Sequence, residues 1–192
     1  IEMLFKDWSA HFAKKISHTT RPSRSNEAHG VHYYFTPREQ FECDIKDSKF
    51  IEYALVHNNY YGTAIESVQA ARGSGKIVVL ELDVQGVQQL RKVAKENPEK
   101  GLHCHYIWIS PPNYEELFNR LKERGTESDE VIQTRLETAK RERELVDNNP
   151  DLFDFVLTND LLSACYGRFN EVRRRLQRFW HASMDGKLAL TA

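Results

Sequence analysis

The sequence is poor in cysteine, with three among 192 residues, at Cys43, Cys104 and Cys165. An odd number at wide spacing forms neither a disulfide framework nor the paired spacing of a zinc site, and it points to a reducing compartment. No apolar run approaches the roughly 20 residues that a membrane span needs. The opening Ile1-Glu2-Met3-Leu4-Phe5-Lys6 carries no signal-peptide pattern. A cytoplasmic location without a membrane partner is therefore expected. An initiating methionine is also missing, so the sequence is expected to begin inside a longer chain. Charge of neither sign dominates, since 27 Lys and Arg stand against 28 Asp and Glu for a net charge of -1. That balance excludes neither anionic nor cationic partners. No internal repeat and no low-complexity segment occurs.

What is present is enough to bury a proper core. A length of 192 residues with 40% hydrophobic and 29% charged side chains suits one globular domain, or a core carrying small inserted lobes. Residues 76–83 form a short, nearly continuous apolar run after Gly75, the pattern of a strand buried on both faces of a parallel sheet. Residues 105–109 and 153–157 read the same way. Each run leads into a helical segment, over 85–96, 113–124 and 161–180. Strand followed by helix, repeated, predicts an α/β fold with a mostly parallel sheet, and functional groups in such sheets gather where strands end and helices begin.

Two stretches interrupt the alternation. Residues 17–75 carry turn chemistry at Arg21-Pro-Ser-Arg-Ser-Asn26 and a short helix signalled by Thr36-Pro-Arg-Glu39. Thr36 as N-cap, Pro37 at the first helical position and Glu39 three residues after the cap would make a capping box. This stretch is expected to be an inserted lobe. Residues 125–146 open with a Gly-Thr-Glu turn at 125–127 and continue as a charged helix capped by Ser128, a pattern that fits a mobile lid or an ordinary solvated helix. The tail from Ser183 to Ala192 shows no purpose and is expected to be disordered.

The densest polar constellation is Ser17-His-Thr-Thr-Arg21-Pro-Ser-Arg24, followed by Tyr33 and Tyr34. Two arginines three apart in an irregular segment can converge on one oxyanion, because a guanidinium is a planar fork that matches phosphate oxygens, and tyrosine hydroxyls add neutral donors. A dianionic phosphate is the natural guest, and a solvent-exposed turn with unpartnered arginines is the plainer reading.

The order of the motifs is more specific: Ser17 to Arg24, Phe50-Ile-Glu52, Asn59-Tyr-Tyr-Gly-Thr63, Leu82-Asp83-Val-Gln-Gly86, Arg120-Leu-Lys-Glu-Arg-Gly-Thr-Glu127 and Thr158-Asn-Asp160. In this order and spacing, from about Leu4 to about Leu176, the chain resembles the guanylate kinase family. The resemblance implies a P-loop nucleoside-monophosphate kinase-like fold, a parallel sheet flanked by helices with inserted GMP-binding and lid lobes. It implies one domain over 1–192, with 1–16, 76–112 and 147–192 as core, 17–75 as the GMP-binding lobe and 113–146 as the lid region. The activity implied is transfer of the γ-phosphoryl group of ATP to GMP, or dGMP, with Mg²⁺ as the cofactor on the phosphates.

The resemblance also implies roles. Arg21, Arg24, Tyr33 and Tyr61 match positions around the GMP phosphate. Glu52 matches the residue that reads guanine: its carboxylate can accept from both N1–H and the 2-amino group, whereas adenine presents a lone pair at N1 and no 2-amino group. Ser17, Gly62, Thr63 and Asp83 match further GMP contacts. Arg120, Arg124 and Arg135 match catalytic arginines at the transferred phosphoryl group, where positive charge is what the reaction chiefly asks of the protein. On spacing alone Arg120 and Arg124 could instead pair with Glu116 and Glu123. Asn159 falls where the family contacts the adenine of ATP. No metal ligand is assigned.

The sequence departs from the family in two places. No Gly-x-x-x-x-Gly-Lys-Ser/Thr string occurs in the 192 residues. Residues 1–16 are expected to continue as the helix that follows such a loop, with the loop itself upstream. Glu81 stands where the family has the first Asp of an Asp-x-Asp pair. The rival function is a non-catalytic guanylate-kinase-like module that binds proteins, from which retention of Arg120, Arg124, Arg135 and Asp83-Val-Gln-Gly86 argues away. A nucleic-acid surface built from Arg173, Arg174, Arg175 and Arg178 is a third idea, but a basic run near the end of an amphipathic helix serves its solvated half equally well, and no nucleic-acid partner is expected.

Overall fold

Helix and strand alternate along the chain in the computed structural model, which describes residues 1–96, 104–125, 127–182 and 189–191. In order the elements are α1 (Glu2–Trp8), β1 (Phe12–Lys14), β2 (Ser17–Thr19), β3 (Tyr33–Phe35), α2 (Arg38–Lys46), β4 (Phe50–Val56), β5 (Asn59–Ala64) and α3 (Ile65–Gly73). They continue with β6 (Ile77–Leu80), α4 (Val84–Glu96), β7 (His105–Ser110), α5 (Tyr114–Glu123), α6 (Asp129–Asn148), a 3-10 turn (Pro150–Leu152), β8 (Phe155–Thr158), α7 (Leu162–Ala182) and β9 (Ala189–Thr191). The described residues form two compact units, one running to His105 and including β9, the other running from Tyr106 to the end of α7.

In the first unit β6 lies between β1 and β9, parallel to both. The run Ile77-Val-Val-Leu80 buries Val78, Val79 and Leu80, as its unbroken apolar character predicts. Two expectations are corrected here. Residues 1–16 are not one helix, because α1 stops at Trp8 and Phe12 enters the sheet opposite Ile77, where it is buried. The tail is not wholly without structure, because Ala189–Thr191 pairs with Val78–Leu80.

A second sheet in the same unit has the order β3-β2-β5-β4. β4 and β5 form a hairpin whose two turn residues, His57 and Asn58, have φ of 46 and 63, the left-handed pair that matches the strand twist. One face of this sheet is aromatic. Phe41 of α2, fully buried, stacks on Phe50 at 4.4 Å and on Tyr60 at 5.2 Å, and His18 lies 4.7 Å from Tyr34. The α2 cap differs from expectation: the Thr36 hydroxyl donates to the Tyr34 carbonyl, and the helix starts one residue after Pro37 without a side-chain cap. The Thr36 N–H is likewise taken, by the Thr19 carbonyl at 2.9 Å, so Thr36 extends the strand edge.

In the second unit β7 and β8 pair in parallel, with Ile107 opposite Phe155 and Ser110 opposite Thr158. Asp154 fixes the start of the pair by accepting from Tyr106 N–H at 2.7 Å. Asn113 caps α5 through Glu116 N–H at 2.7 Å. Ser128 occupies the N-cap of α6, but its hydroxyl bonds the Glu130 carboxylate, not the backbone. No helix among the described residues is long and apolar enough to cross a membrane.

Gly62 is where the aromatic face has no spare room. A Cβ at this position would sit 2.9 Å from Phe41 Cζ and 3.0 Å from Phe50 Cδ1. Gly62→Ala is expected to lower stability by about 1–3 kcal/mol through overpacking, read as a lower midpoint in urea unfolding.

Candidate functional site

Strand register sets the polar face of the second sheet. Thr63 lies opposite Glu52 across β5 and β4, and His18 opposite Gly62 across β2 and β5. Side chains alternate along a strand, so Ser17, Thr63 and Glu52 fall in one row on the face turned away from Phe41. Tyr33, paired with Ser17, extends the row onto β3. Gly62 belongs to the opposite, aromatic face, and there its lack of a side chain serves packing.

The inner end of the row is buried and charged. Lys15 and Glu52 are each 5% exposed and Thr63 is fully buried. Lys15 Nζ donates to Thr63 Oγ1 at 2.6 Å and also to Ser17 Oγ. The Thr63 hydroxyl bonds the Glu52 carboxylate, so hydrogen-bond polarity runs from ammonium through hydroxyl to carboxylate. Burial pushes the Glu52 carboxyl upward, and the Lys15 charge is the strongest influence opposing it. Burial pulls Lys15 down to about 8, against the attraction of Glu52 and then Glu81.

Asp83, just past β6, joins this cluster through α4. Its Oδ1 accepts Gly86 N–H at 2.8 Å, a cap on the first turn of the helix, and burial raises its carboxyl. A Cβ on Gly86 would approach Glu52 Oε2 to 2.8 Å and Asp83 Oδ1 to 3.3 Å. Glycine therefore lets both carboxylates share the helix start.

The outer end of the row is cationic and aromatic. The Arg21 guanidinium lies 5.6 Å from the Tyr33 ring centroid, and the Tyr33 and Tyr61 rings meet edge to face at 6.1 Å. Arg21 also bonds the Tyr61 hydroxyl. Glu27 organises the loop: Oε1 takes Arg21 Nη2 at 2.8 Å and Oε2 takes Arg24 N–H at 2.8 Å. The bond from Arg21 holds the Glu27 carboxyl down at about 2.

The second unit holds the remaining candidates. Arg120 donates from Nε to Glu116 at 2.8 Å, from Nη1 to the Asn159 carbonyl at 2.8 Å and from Nη2 to the Asp160 carbonyl at 2.9 Å. Arg120 and Asn159 are thus neighbours, and the pairing with Glu116 that spacing allowed is present. Arg135 pairs with Glu127 at 2.5 Å, and its buried Nε has no acceptor among the described residues. Arg124 is exposed at the end of α5.

Sequence reading missed Lys15 and Glu27. Lys15 follows Lys14 and reads as a solvated charge, though its place two residues before Ser17 was a usable signal. Glu27 lies in a turn rich in polar residues, where nothing in the pattern marks it.

A family model described as guanylate kinase matches residues 1–175. Guanylate kinase 1 of Oryza sativa subsp. japonica is 43% identical over 166 residues, covering 86% of this chain and 41% of that protein. A guanylate kinase of Neisseria gonorrhoeae (strain ATCC 700825 / FA 1090) is 47% identical over 152 residues, 79% of this chain and 69% of its own length. The chain spans 41% and 42% of the lengths of the plant relatives it matches. A crystal structure of guanylate kinase from Anaplasma phagocytophilum shares the fold, with a TM-score of 0.68 at 24% identity over 95% of this chain and 90% of that one.

The buried lysine leaves a thermodynamic mark. Its value is about 8 when folded, against the ordinary 10.5, so between these pH values the unfolded chain binds more protons and stability rises with pH. From pH 7.5 to 10.5 the protein should gain about 3 kcal/mol relative to Lys15→Met. Paired urea titrations at the two pH values check this, and parallel curves would contradict it.

Proposed function

The chain belongs to the guanylate kinase family, and from that premise we propose that it transfers the γ-phosphoryl group of ATP to GMP, giving ADP and GDP. The observation that carries the reading is the continuous polar row on the second sheet. The buried Glu52 carboxylate stands at one end, with the half-buried Asp83 beside it, and Arg21 with two tyrosines stands at the other. A mononucleotide has the same polarity, with donors on a guanine edge and an anion at the far end.

In this proposal Glu52 accepts from guanine N1–H and the 2-amino group, with Ser17, Thr63 and Asp83 completing the base contacts. Arg21, Arg24, Tyr33 and Tyr61 hold the acceptor phosphate. Arg21 enters already oriented by Glu27, so its remaining N–H groups are presented without the entropy cost of fixing a long side chain. No protein nucleophile is needed, because the GMP phosphate attacks directly. Arg120, Arg124 and Arg135 supply positive charge to the transferred phosphoryl group, and Asn159 contacts the donor base. Of the arginines, Arg120 has committed three of its five N–H donors to protein acceptors, so Arg124 is the one with the most to offer a phosphate.

The donor would bind as MgATP, its Mg²⁺ supplying charge neutralisation on the phosphates. Acceptors are GMP and dGMP. The cytoplasm is the proposed location, in keeping with an odd number of widely spaced cysteines.

The test is ADP release by the full parent protein with MgATP and either GMP or AMP. Turnover should favour GMP by roughly 10⁴-fold. Glu52→Gln is expected to raise KM for GMP by about 10- to 100-fold and to narrow the margin over AMP. Arg124→Ala should instead lower kcat by at least about 100-fold with KM for GMP little changed. Absence of turnover from a chain of intact mass would favour the non-catalytic protein-binding module.

A further inference from the structure

The Lys15 ammonium is an unusual object to find beside a base-reading carboxylate. It is 5% exposed, and it spends hydrogens on Ser17 Oγ and Thr63 Oγ1. An ammonium has three donors and no acceptor. Among the described residues, the third hydrogen is given no acceptor. Each hydroxyl that Lys15 engages is also an assigned base contact, and Thr63 links Lys15 to Glu52 through one shared oxygen. Ammonium and carboxylate are therefore separated by two hydrogen bonds, about 5 Å when counted along them.

That spacing meets a specific chemical pattern. On a guanine edge the carbonyl O6 is bonded to the carbon next to N1, so a group beside the acceptor of N1–H faces a carbonyl oxygen. We propose that Lys15 is a specificity-determining residue of the acceptor site, donating from Nζ to O6 of a purine whose N1–H and 2-amino group are taken by Glu52. The proposal rests on the GMP reading above. Lys15 then discriminates at position 6 while Glu52 discriminates at positions 1 and 2. Adenine meets two mismatches: its 6-amino group puts a donor against the ammonium, and its N1 lone pair faces the carboxylate. Hypoxanthine, which keeps O6 and N1–H, meets only the loss of its 2-amino contact.

A different role is open to a buried lysine, that of a counter-charge that merely keeps Glu52 ionised. The two roles differ in which atom of the ligand senses the residue. 6-Thio-GMP keeps N1–H and the 2-amino group and replaces O6 with a poor acceptor, while IMP keeps O6 and lacks the 2-amino group. Equilibrium binding of GMP, 6-thio-GMP and IMP to the full-length parent protein and to its Lys15→Met form makes a cycle between one side chain and one ligand atom.

In the parent, GMP should bind roughly 10- to 100-fold more tightly than 6-thio-GMP. In Lys15→Met that gap should close to within about 3-fold, because GMP weakens and the thio analogue does not, while the ratio of IMP to GMP affinity stays as in the parent. The counter-charge role gives the reverse: an unchanged thio gap and an altered IMP ratio, and that result would overturn the proposal. Lys15→Gln, which retains a neutral donor, provides the decision if the methionine variant does not fold, with the gap expected to narrow; an unreduced gap in the folded glutamine variant also overturns it. Failure of the underlying GMP reading shows separately, as a parent protein that does not prefer GMP over AMP at all.

Discussion

Two opposite charges buried in one small space impose the constraint on which the second sheet depends. Burial penalises both the Lys15 ammonium and the Glu52 carboxylate, and each is the other's strongest compensation. A buried pair of this kind contributes little net stability, but removing one partner leaves a charge without relief, at a cost of several kcal/mol. The pair also joins sequence-distant segments, Lys15 after β1 and Glu52 on β4, with Thr63 of β5 as the link. Slipping β5 by one residue would turn Thr63 toward Phe41 and strand both charges. The same slip would drive a side chain into the space that Gly62 keeps for the aromatic stack. Polar row and aromatic face thus reject the same misregistered alternatives from opposite sides of one sheet.

The cations elsewhere follow a common plan. Arg21 is oriented by Glu27, Arg120 by Glu116 and Arg135 by Glu127. These pairs lie near the surface, where solvent screens them and their worth to stability is small. Their effect is on geometry: a guanidinium held by one edge keeps its other N–H groups aimed in a fixed direction.

Much of the core was readable because its physics is local. The strands Ile77–Leu80, His105–Ser110 and Phe155–Thr158 are short apolar runs, and the helices after them carry a clear period. The short strands were harder. β1, β2 and β3 have three residues each, too few for alternation to stand out, and they are strands because of their partners. Thr36 had the right neighbours for a cap, yet its hydroxyl and N–H were claimed by Tyr34 and Thr19, a contact that only the folded lobe creates. Glu52, Thr63 and Ser17 were legible through motif order. Lys15 was not, since a lysine beside another lysine reads as solvated until the strands around it are in place.

Arg120 has a mechanical consequence for the second unit. Its guanidinium bolts the last turn of α5 to the carbonyls of Asn159 and Asp160, while Arg168, on α7, reaches back to the Thr158 carbonyl and the Asp160 carboxylate. Helix, strand end and following helix are cross-braced at one point. Beyond the brace the chain turns toward α6 at Gly125, at φ 60, a conformation that glycine adopts without strain. The brace at Arg120 and the left-handed glycine are five residues apart, so the chain reverses direction almost directly after the point at which α5 is tied down.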